Sequence, residues 1–331
     1  MNQSRDYDIV CLSEAIAPIT QMSGVSGNYA LVMREPVVTS RGVTQVPNLS
    51  GNAIRHRAIR EPGFRWLVGE FDLVGKLTLP QLNFLFHGGN LTEGGGRENT
   101  RRIADWQRLF PLGRLLGGCL PDQVLAGSLQ VHRGMLVCEE NRPSLAHILG
   151  NHLPERRLRP AESFVSGYQY TRGDAVKSAM DLRPVEPPGE SNSNLMIFSG
   201  QSVLSGAIFI HGFTMPHVSE LELGALLWSL YLWQSTGGTI GGQASRGHGR
   251  LKLGILESDW DGEAAINAYL DYARSTKDEA AAWLNDVFAP RVPRASRGGP
   301  EMAETPEEGD GPAASAPRSK RRRATQETPE P

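Results

Sequence analysis

The chain has 331 residues, is 39% hydrophobic and carries a formal charge of −2. That apolar content supports a large buried core, and the overall charge does not announce a nucleic-acid binder. No run approaches the ~18 apolar residues of a membrane span, no N-terminal stretch has the pattern of a secretory signal, and Cys11, Cys119 and Cys138 form no disulfide or metal framework. With scattered histidines as well, the sequence implies no metal, no cofactor and reduced thiols in a cytoplasmic protein.

Charge is distributed unevenly. Residues 34–70 hold six arginines against three acids, residues 97–114 five against two, and residues 257–286 eight acids against two basic groups. Separate basic and acidic faces let a near-neutral protein hold a polyanion. The ratio of 29 arginines to 5 lysines fits phosphate recognition, but fits a GC-rich genome as well.

In chain order, residues 6–20 open as a strand with Ile9, Val10 and Leu12. A Gly/Ser loop over 23–28 leads to a second strand, Tyr29 to Met33, continuing through Pro36-Val37-Val38. Asn48-Leu49-Ser50-Gly51-Asn52 then opens a helix, with Arg55 and Arg57 in its first turns. Free N–H groups at such a start attract anions, although an ordinary capped helix with solvated arginines has the same sequence. Residues 66–86 read as helical, 90–100 as a mobile Gly-rich loop, and Arg101–Leu116 as a helix stopped by Gly117-Gly118. Val124–Val137 alternates as a strand.

Residues 154–194 are polar and proline-broken, with Phe164, Tyr168 and Tyr170 among Arg156, Arg157, Arg159, Arg172 and Arg183. Aromatics interleaved with arginines suit base stacking on a single strand, or a surface excursion whose tyrosines pack on the parent domain. Val203–Phe213 reads as a central strand, and Ser219 with Glu222 as a capping box for a helix over 220–233. Gly237–Leu253 (GGTIGGQASRGHGRLKL) follows. Its glycines let backbone approach an anion, and Arg246 and Arg250 supply forked donors; it reads as a polyanion loop or as a plain surface turn. Residues 262–288 form a last amphipathic helix with an acidic face. From residue 291 hydrophobics vanish, and one basic cluster, Lys320 to Arg323, stands in a tail too polar to offset its ordering entropy.

Three of these stretches together resemble the RAMP superfamily of CRISPR proteins. Gly51-Asn52-Ala53-Ile54-Arg55-His56 is similar to its G-S-S-L-K-G loop, Val203 to Phe209 to its V-x-x-G-x-x-F strand, and Gly241 to Arg250 to its G-G-x-x-S-R-G-Y/F-G-R loop. The overall length and Phe86–Asn90 (FHGGN) make the type IV backbone subunit the nearest resemblance. The resemblance implies an α+β fold: a modified RRM-like (ferredoxin-like), hand-shaped core spanning 1–290. A thumb is inserted at about 162–202 and a mobile finger-like loop at about 88–100, and a disordered tail covers 291–331. It also implies binding of a guide RNA (crRNA), head-to-tail filaments of the chain, other type IV effector subunits as partners, and a target nucleic acid, DNA by analogy. The RNA-contacting residues that it and the loop chemistry nominate are Arg34, Asn48, Ser50, Gly51, Asn52, Arg55, Tyr168, Arg172, Gly241, Gly242, Ser245, Arg246 and Gly247. Type III relatives place a cleaving aspartate two residues before P-V-I/V. Here Arg34 stands at that position, so no cleavage is expected. A ribonuclease using His56 or His248 and a protein-only scaffold are the competing readings; both histidines depart from the family pattern.

Overall fold

A computed structural model describes residues 4–26, 29–92, 99–171, 197–256 and 259–289. The core is organised by two long strands, β1 (Arg5–Ala15) and β12 (Ile208–Val218), paired antiparallel with Cys11 opposite His211. Strand alternation sends Tyr7, Ile9, Cys11, Ser13 and Ala15 to one face, with Phe209, His211, Phe213 and Met215 beside them, all buried. The two polar members of that face pair with each other, Ser13 Oγ lying 2.8 Å from His211 Nε2.

The remaining strands extend this pair into a seven-stranded sheet. They are β4 (Arg34–Thr39), β5 (Gly42–Leu49), β8 (Gln130–Val131), β9 (Gly134–Leu136) and β13 (Leu251–Ile255). The order is β13-β1-β12-β9-β5-β4, with β8 also on β12, and every pair is antiparallel. A four-stranded sheet stands beside it, in the order β10 (Val165–Thr171), β11 (Ile197–Val203), β3 (Tyr29–Val32), β2 (Met22–Ser26). A third ladder pairs β6 (Gly118–Cys119) with β7 (Val124–Leu125).

Helices cover both faces of the large sheet. Gly51–Ile54, Arg55–Arg60 and Glu61–Glu70 run on as one helix, α1, whose middle six residues have π geometry. It is followed by α2 (Leu79–His87), α3 (Thr100–Leu109), α4 (Pro111–Leu116), α5 (Arg142–Leu149), α6 (Glu220–Ser235) and α7 (Gly262–Val287). α6 is apolar nearly all round because it is enclosed, with α1 and α7 packed against it. Its start uses the expected capping box: Glu222 Oε2 accepts from Ser219 N at 2.7 Å and from its hydroxyl, while Glu222 Oε1 pairs with Arg114 at 2.6 Å. On the other face Leu145 and Leu149 of α5 pack with Val137 and Ile210.

Several elements differ from the sequence reading, each for a local reason. The Gly/Ser segment at 23–28 is in part a strand, β2, because β3 offers it a partner. The helical stretch 66–86 divides at Phe71–Thr78, where Thr78 and Gln81 start α2 with a capping box. Pro111, which cannot donate a helical hydrogen bond, divides Arg101–Leu116 into α3 and α4. Val124–Val137 is three short strands, and the strand expected over Val203–Phe213 is cut by a turn with Gly206 at φ +85°. Most of the expected thumb (172–196, including Arg172), part of the finger-like loop (93–98) and the tail lie outside the described residues.

Candidate nucleic-acid interface

Two features that attract anions emerge from the fold. The first is an open cleft of about 310 Å³ lined by Ser50, Gly51, Asn52, Arg55, Val131 and Arg133. β5 delivers the chain to Ser50 in an extended conformation, and the Ser50 side chain does not cap the helix that follows. The first N–H groups of α1 therefore face the cleft without a side-chain partner, at the positive end of the helix dipole. Only glycine fits at position 51, since a Cβ there would sit 2.8 Å from the Val131 carbonyl oxygen.

The arginines around this cleft are largely engaged. Arg55 donates from Nη1 to Leu129 O at 3.1 Å and from Nη2 to Leu116 O, and burial lowers its pKa. Arg60, one π-helical turn on, is buried and donates to Leu85 O at 3.0 Å and Gly117 O at 3.1 Å. Burial, then the charge of Arg55, pushes it down to about 10. Both guanidiniums answer the unpaired carbonyls at the C-terminal end of α4. Arg55 thus lines the cleft as a strut rather than a free fork. The more exposed cation is Arg133, whose Nη1 lies 2.7 Å from the buried Glu35 carboxylate.

The second feature is the loop Gly241–Gly249. Gly241 (φ +74°), Gln243 (+62°), Gly247 (+81°) and Gly249 (+75°) all adopt left-handed backbone. Gly241 presses so closely on Thr20 that a Cβ would come within 2.6 Å of its carbonyl oxygen. Gly242 N donates to Thr20 O at 2.7 Å, Thr20 Oγ1 returns a bond to Gly242 O at 2.7 Å, and Gly249 N donates to Pro18 O at 2.7 Å. The loop is therefore rigid at its base and presents Ser245 and Arg246, both exposed, from the 3-10 turn Ala244–Arg246.

This loop packs against the β10–β11 hairpin. The Arg246 guanidinium lies 3.9 Å from the Tyr170 ring centroid and donates to Gln243 Oε1. Gln243 Nε2 reaches Tyr170 Oη at 3.4 Å, and His248 meets Tyr168 edge-on at 5.4 Å. Tyr168 and Tyr170 share a face of β10, their rings 6.3 Å apart and within 4° of parallel, and Phe198, directly across the ladder from Tyr170, stacks on it at 5.2 Å.

A ladder of backbone bonds joins the two features. Asn48 N donates to Met33 O at 3.2 Å, and Met33 N to Gln21 O at 2.7 Å, one residue from the Thr20–Gly242 bridge. Three strand spacings place Asn48 and Gly242 about 15 Å apart. Asn48 and Gln21 are both buried, and their side-chain oxygens have no hydrogen-bond partner among the described residues. Arg34 lies beside the middle rung, next to Met33. Its Nη1 donates to Gln45 O at 3.3 Å and to Glu162 Oε1, and its Nη2 donates to Glu162 Oε2 at 3.2 Å. That fork holds the Glu162 carboxyl below its ordinary pKa.

Of the residues nominated from sequence, Ser50, Gly51, Asn52 and Arg55 line the cleft, while Gly241, Gly242, Ser245, Arg246, Gly247 and Tyr168 belong to the loop–hairpin cluster. Asn48 and Arg34 stand on the ladder between them. Arg133, Gln243 and Phe198 were not nominated. The i, i+2 spacing of Tyr168 and Tyr170 marks one strand face in the sequence, but nothing there pairs Arg133 with Gly51. His56 faces His87, ring centroids 6.0 Å apart, and burial lowers its pKa. Cys11, Cys119 and Cys138 are free thiols, and burial pushes Cys11 and Cys138 up to about 12. Among the described residues no group of three or more His, Cys, Asp or Glu could hold a metal ion, and no helix is long and apolar enough to cross a membrane.

A large antiparallel sheet with helices on both faces, a smaller mixed sheet and a hairpin packed on a glycine–arginine loop make an α+β fold. In particular, the chain shares the fold of one chain in a structure described as a type IV-B CRISPR complex. The TM-score is 0.53 at 15% identity, over 77% of this chain and 93% of that one. It also aligns with the crystal structure of Thermofilum pendens Csc2, at a TM-score of 0.38 and 12% identity over 86% and 80% of the two chains. No protein-family model matches the sequence, and no curated protein matches it.

Proposed function

We propose that this protein is a non-catalytic guide-RNA-binding subunit whose copies assemble head to tail along the guide, forming the backbone of a type IV effector ribonucleoprotein in the cytoplasm. The observation that carries this reading is the convergence of the β10–β11 hairpin on the Gly241–Gly249 loop. It sets two parallel tyrosines and an exposed arginine on a rigid base, about 15 Å along one ladder from an anion-attracting helix start. Aromatic faces with a cation suit stacked bases, and free N–H groups suit phosphates. Neither feature reads base edges, so the subunit binds by backbone and shape, and pairing of the guide selects the target, plasmid DNA in this reading. The core is then the RRM-like palm and the hairpin the root of the thumb. Arg34 at the position of the type III cleaving aspartate supports an absence of cleavage, because an arginine neither organises a metal nor takes a proton from a 2′-OH.

The test is to express the chain with its own guide array and neighbouring genes, purify it, digest unprotected nucleic acid and sequence what remains. A protected RNA of discrete length in large filamentous or crescent particles is expected. Particles free of RNA from the coexpressed set would refute the proposal, and shortening of a bound RNA on incubation would refute its non-catalytic part.

A further inference from the structure

Arg34 follows Met33, the middle rung of the ladder between the cleft and the Gly241–Gly249 loop, and its fork is already filled. Glu162 offers two carboxylate oxygens to Nη1 and Nη2, the same bidentate geometry in which an arginine takes two phosphate oxygens. The two partners are unequally held. The Arg34 side chain is 19% exposed and is steadied by Gln45 O, whereas that of Glu162 is 68% exposed. Glu162 stands in the turn Ala161–Phe164 at the root of the β10–β11 hairpin. That turn has other anchors: Ala161 N donates to both Glu140 oxygens at 3.1 and 2.9 Å, and Leu204 N donates to Phe164 O at 2.8 Å. Glu162 can therefore leave Arg34 without the turn coming loose, and Arg34 stays aimed when it does.

We propose that Glu162 is an internal stand-in for a phosphate on Arg34, and so a residue that sets the affinity of the interface; this rests on the RNA-binding reading above. A strand entering the interface displaces the carboxylate, and the fork passes from Glu162 to a phosphate. An exposed ion pair is weak, so a polyanion that releases counterions outcompetes it, but the competition still lowers affinity.

The experiment measures binding of a fluorescein-labelled oligouridylate by anisotropy across a salt titration. It uses the full chain as wild type, Glu162→Gln, Arg34→Ala and the double variant, with thermal melts to confirm folding. Glu162→Gln is expected to bind about fivefold tighter, the upper worth of a surface ion pair. Its log–log salt slope should match wild type, because Arg34 neutralises the same phosphate in both chains, whereas Arg34→Ala should flatten the slope by about 0.7. Arg34→Ala should bind more weakly, and adding Glu162→Gln to it should change nothing. An unchanged or weaker Glu162→Gln beside a binding wild type overturns this inference alone. So does an equal gain in the Arg34→Ala background, which would show general charge removal. Absence of binding by every chain overturns the RNA reading and this inference with it.

Discussion

Truncating Tyr170 to alanine is the most direct perturbation of the proposed interface. The ring is bounded by Phe198 at 5.2 Å and by the Arg246 guanidinium at 3.9 Å. Its loss removes a stacking surface and also the support that orients Arg246. Base–aromatic stacking is worth about 1–3 kcal/mol per base, so Tyr170→Ala should weaken single-stranded RNA binding roughly 5- to 150-fold. The conservative change separates ring from hydroxyl. Tyr170→Phe loses only the 3.4 Å contact from Gln243 and should stay within about twofold of wild type. Both variants would be measured by anisotropy on one oligonucleotide, with circular dichroism to confirm the hairpin. Tyr170→Ala binding like wild type would refute the stacking argument. Tyr170→Phe as weak as Tyr170→Ala would shift the role from ring to hydroxyl.

Three further outcomes follow from the geometry. Gly51→Ala forces a Cβ to 2.8 Å from backbone oxygen of Val131, so the floor of the cleft must move. The denaturation midpoint should fall by an amount equivalent to about 1–3 kcal/mol, and an unchanged midpoint would show that the 130–133 segment yields freely. Arg60→Met takes the guanidinium from Leu85 O and Gly117 O, while Leu116 O keeps Arg55. Two orphaned carbonyls predict a loss of about 2–6 kcal/mol in urea unfolding, and a loss below about 1 would contradict the strut role. His211 is held neutral by burial, its pKa lowered to about 4. The unfolded chain takes up its proton first, near pH 6.5, so the stabilisation is complete above that pH and is lost as pH falls toward 4. The loss is on the order of 3 kcal/mol, and His211→Gln should flatten this limb of the stability–pH curve; an unaltered limb would assign it to other groups.

How much of this was legible in the sequence depended on the range of the interaction. The capping box at Ser219–Glu222 and the last helix were visible because caps and helical periodicity are local. So were the Gly51 and Gly241 loops, whose glycines meet demands of the backbone itself. The short strands β8 and β9 were not, because their boundaries are set by partners far along the chain: β8 ends where β12 stops pairing with it at Phe213. β2 was missed for a different reason: a Gly/Ser segment has little strand preference of its own and becomes a strand only when β3 lies beside it. At the interface the residue types were readable but their engagement was not. Arg55 was nominated as a phosphate contact, yet its fork faces the carbonyl end of α4, a target 61 residues away.

That last difference bears on how the interface works. An arginine-rich sequence suggests a surface of free positive charge, but the structure spends many of these groups internally. Arg55 and Arg60 answer helix carbonyls, Arg34 and Arg133 face carboxylates, and Arg57, Arg65, Arg108 and Arg114 are in ion pairs. At the interface itself, Arg246 and Arg250 appear in no ion pair among the described residues; Arg250 Nε contacts only Gly237 O, at 3.4 Å. In the proposed complex a single copy therefore neutralises few phosphates, and counterion release alone supplies little affinity. Two other sources remain at the same site: backbone N–H groups at the start of α1, and the aromatic faces of the hairpin. Both are insensitive to base identity and individually weak. Such contacts hold a strand firmly only when repeated along it, because each bound copy raises the effective concentration of the next site. The sparing use of free charge thus fits a chain that binds weakly as one copy and firmly as a repeated unit on one long guide.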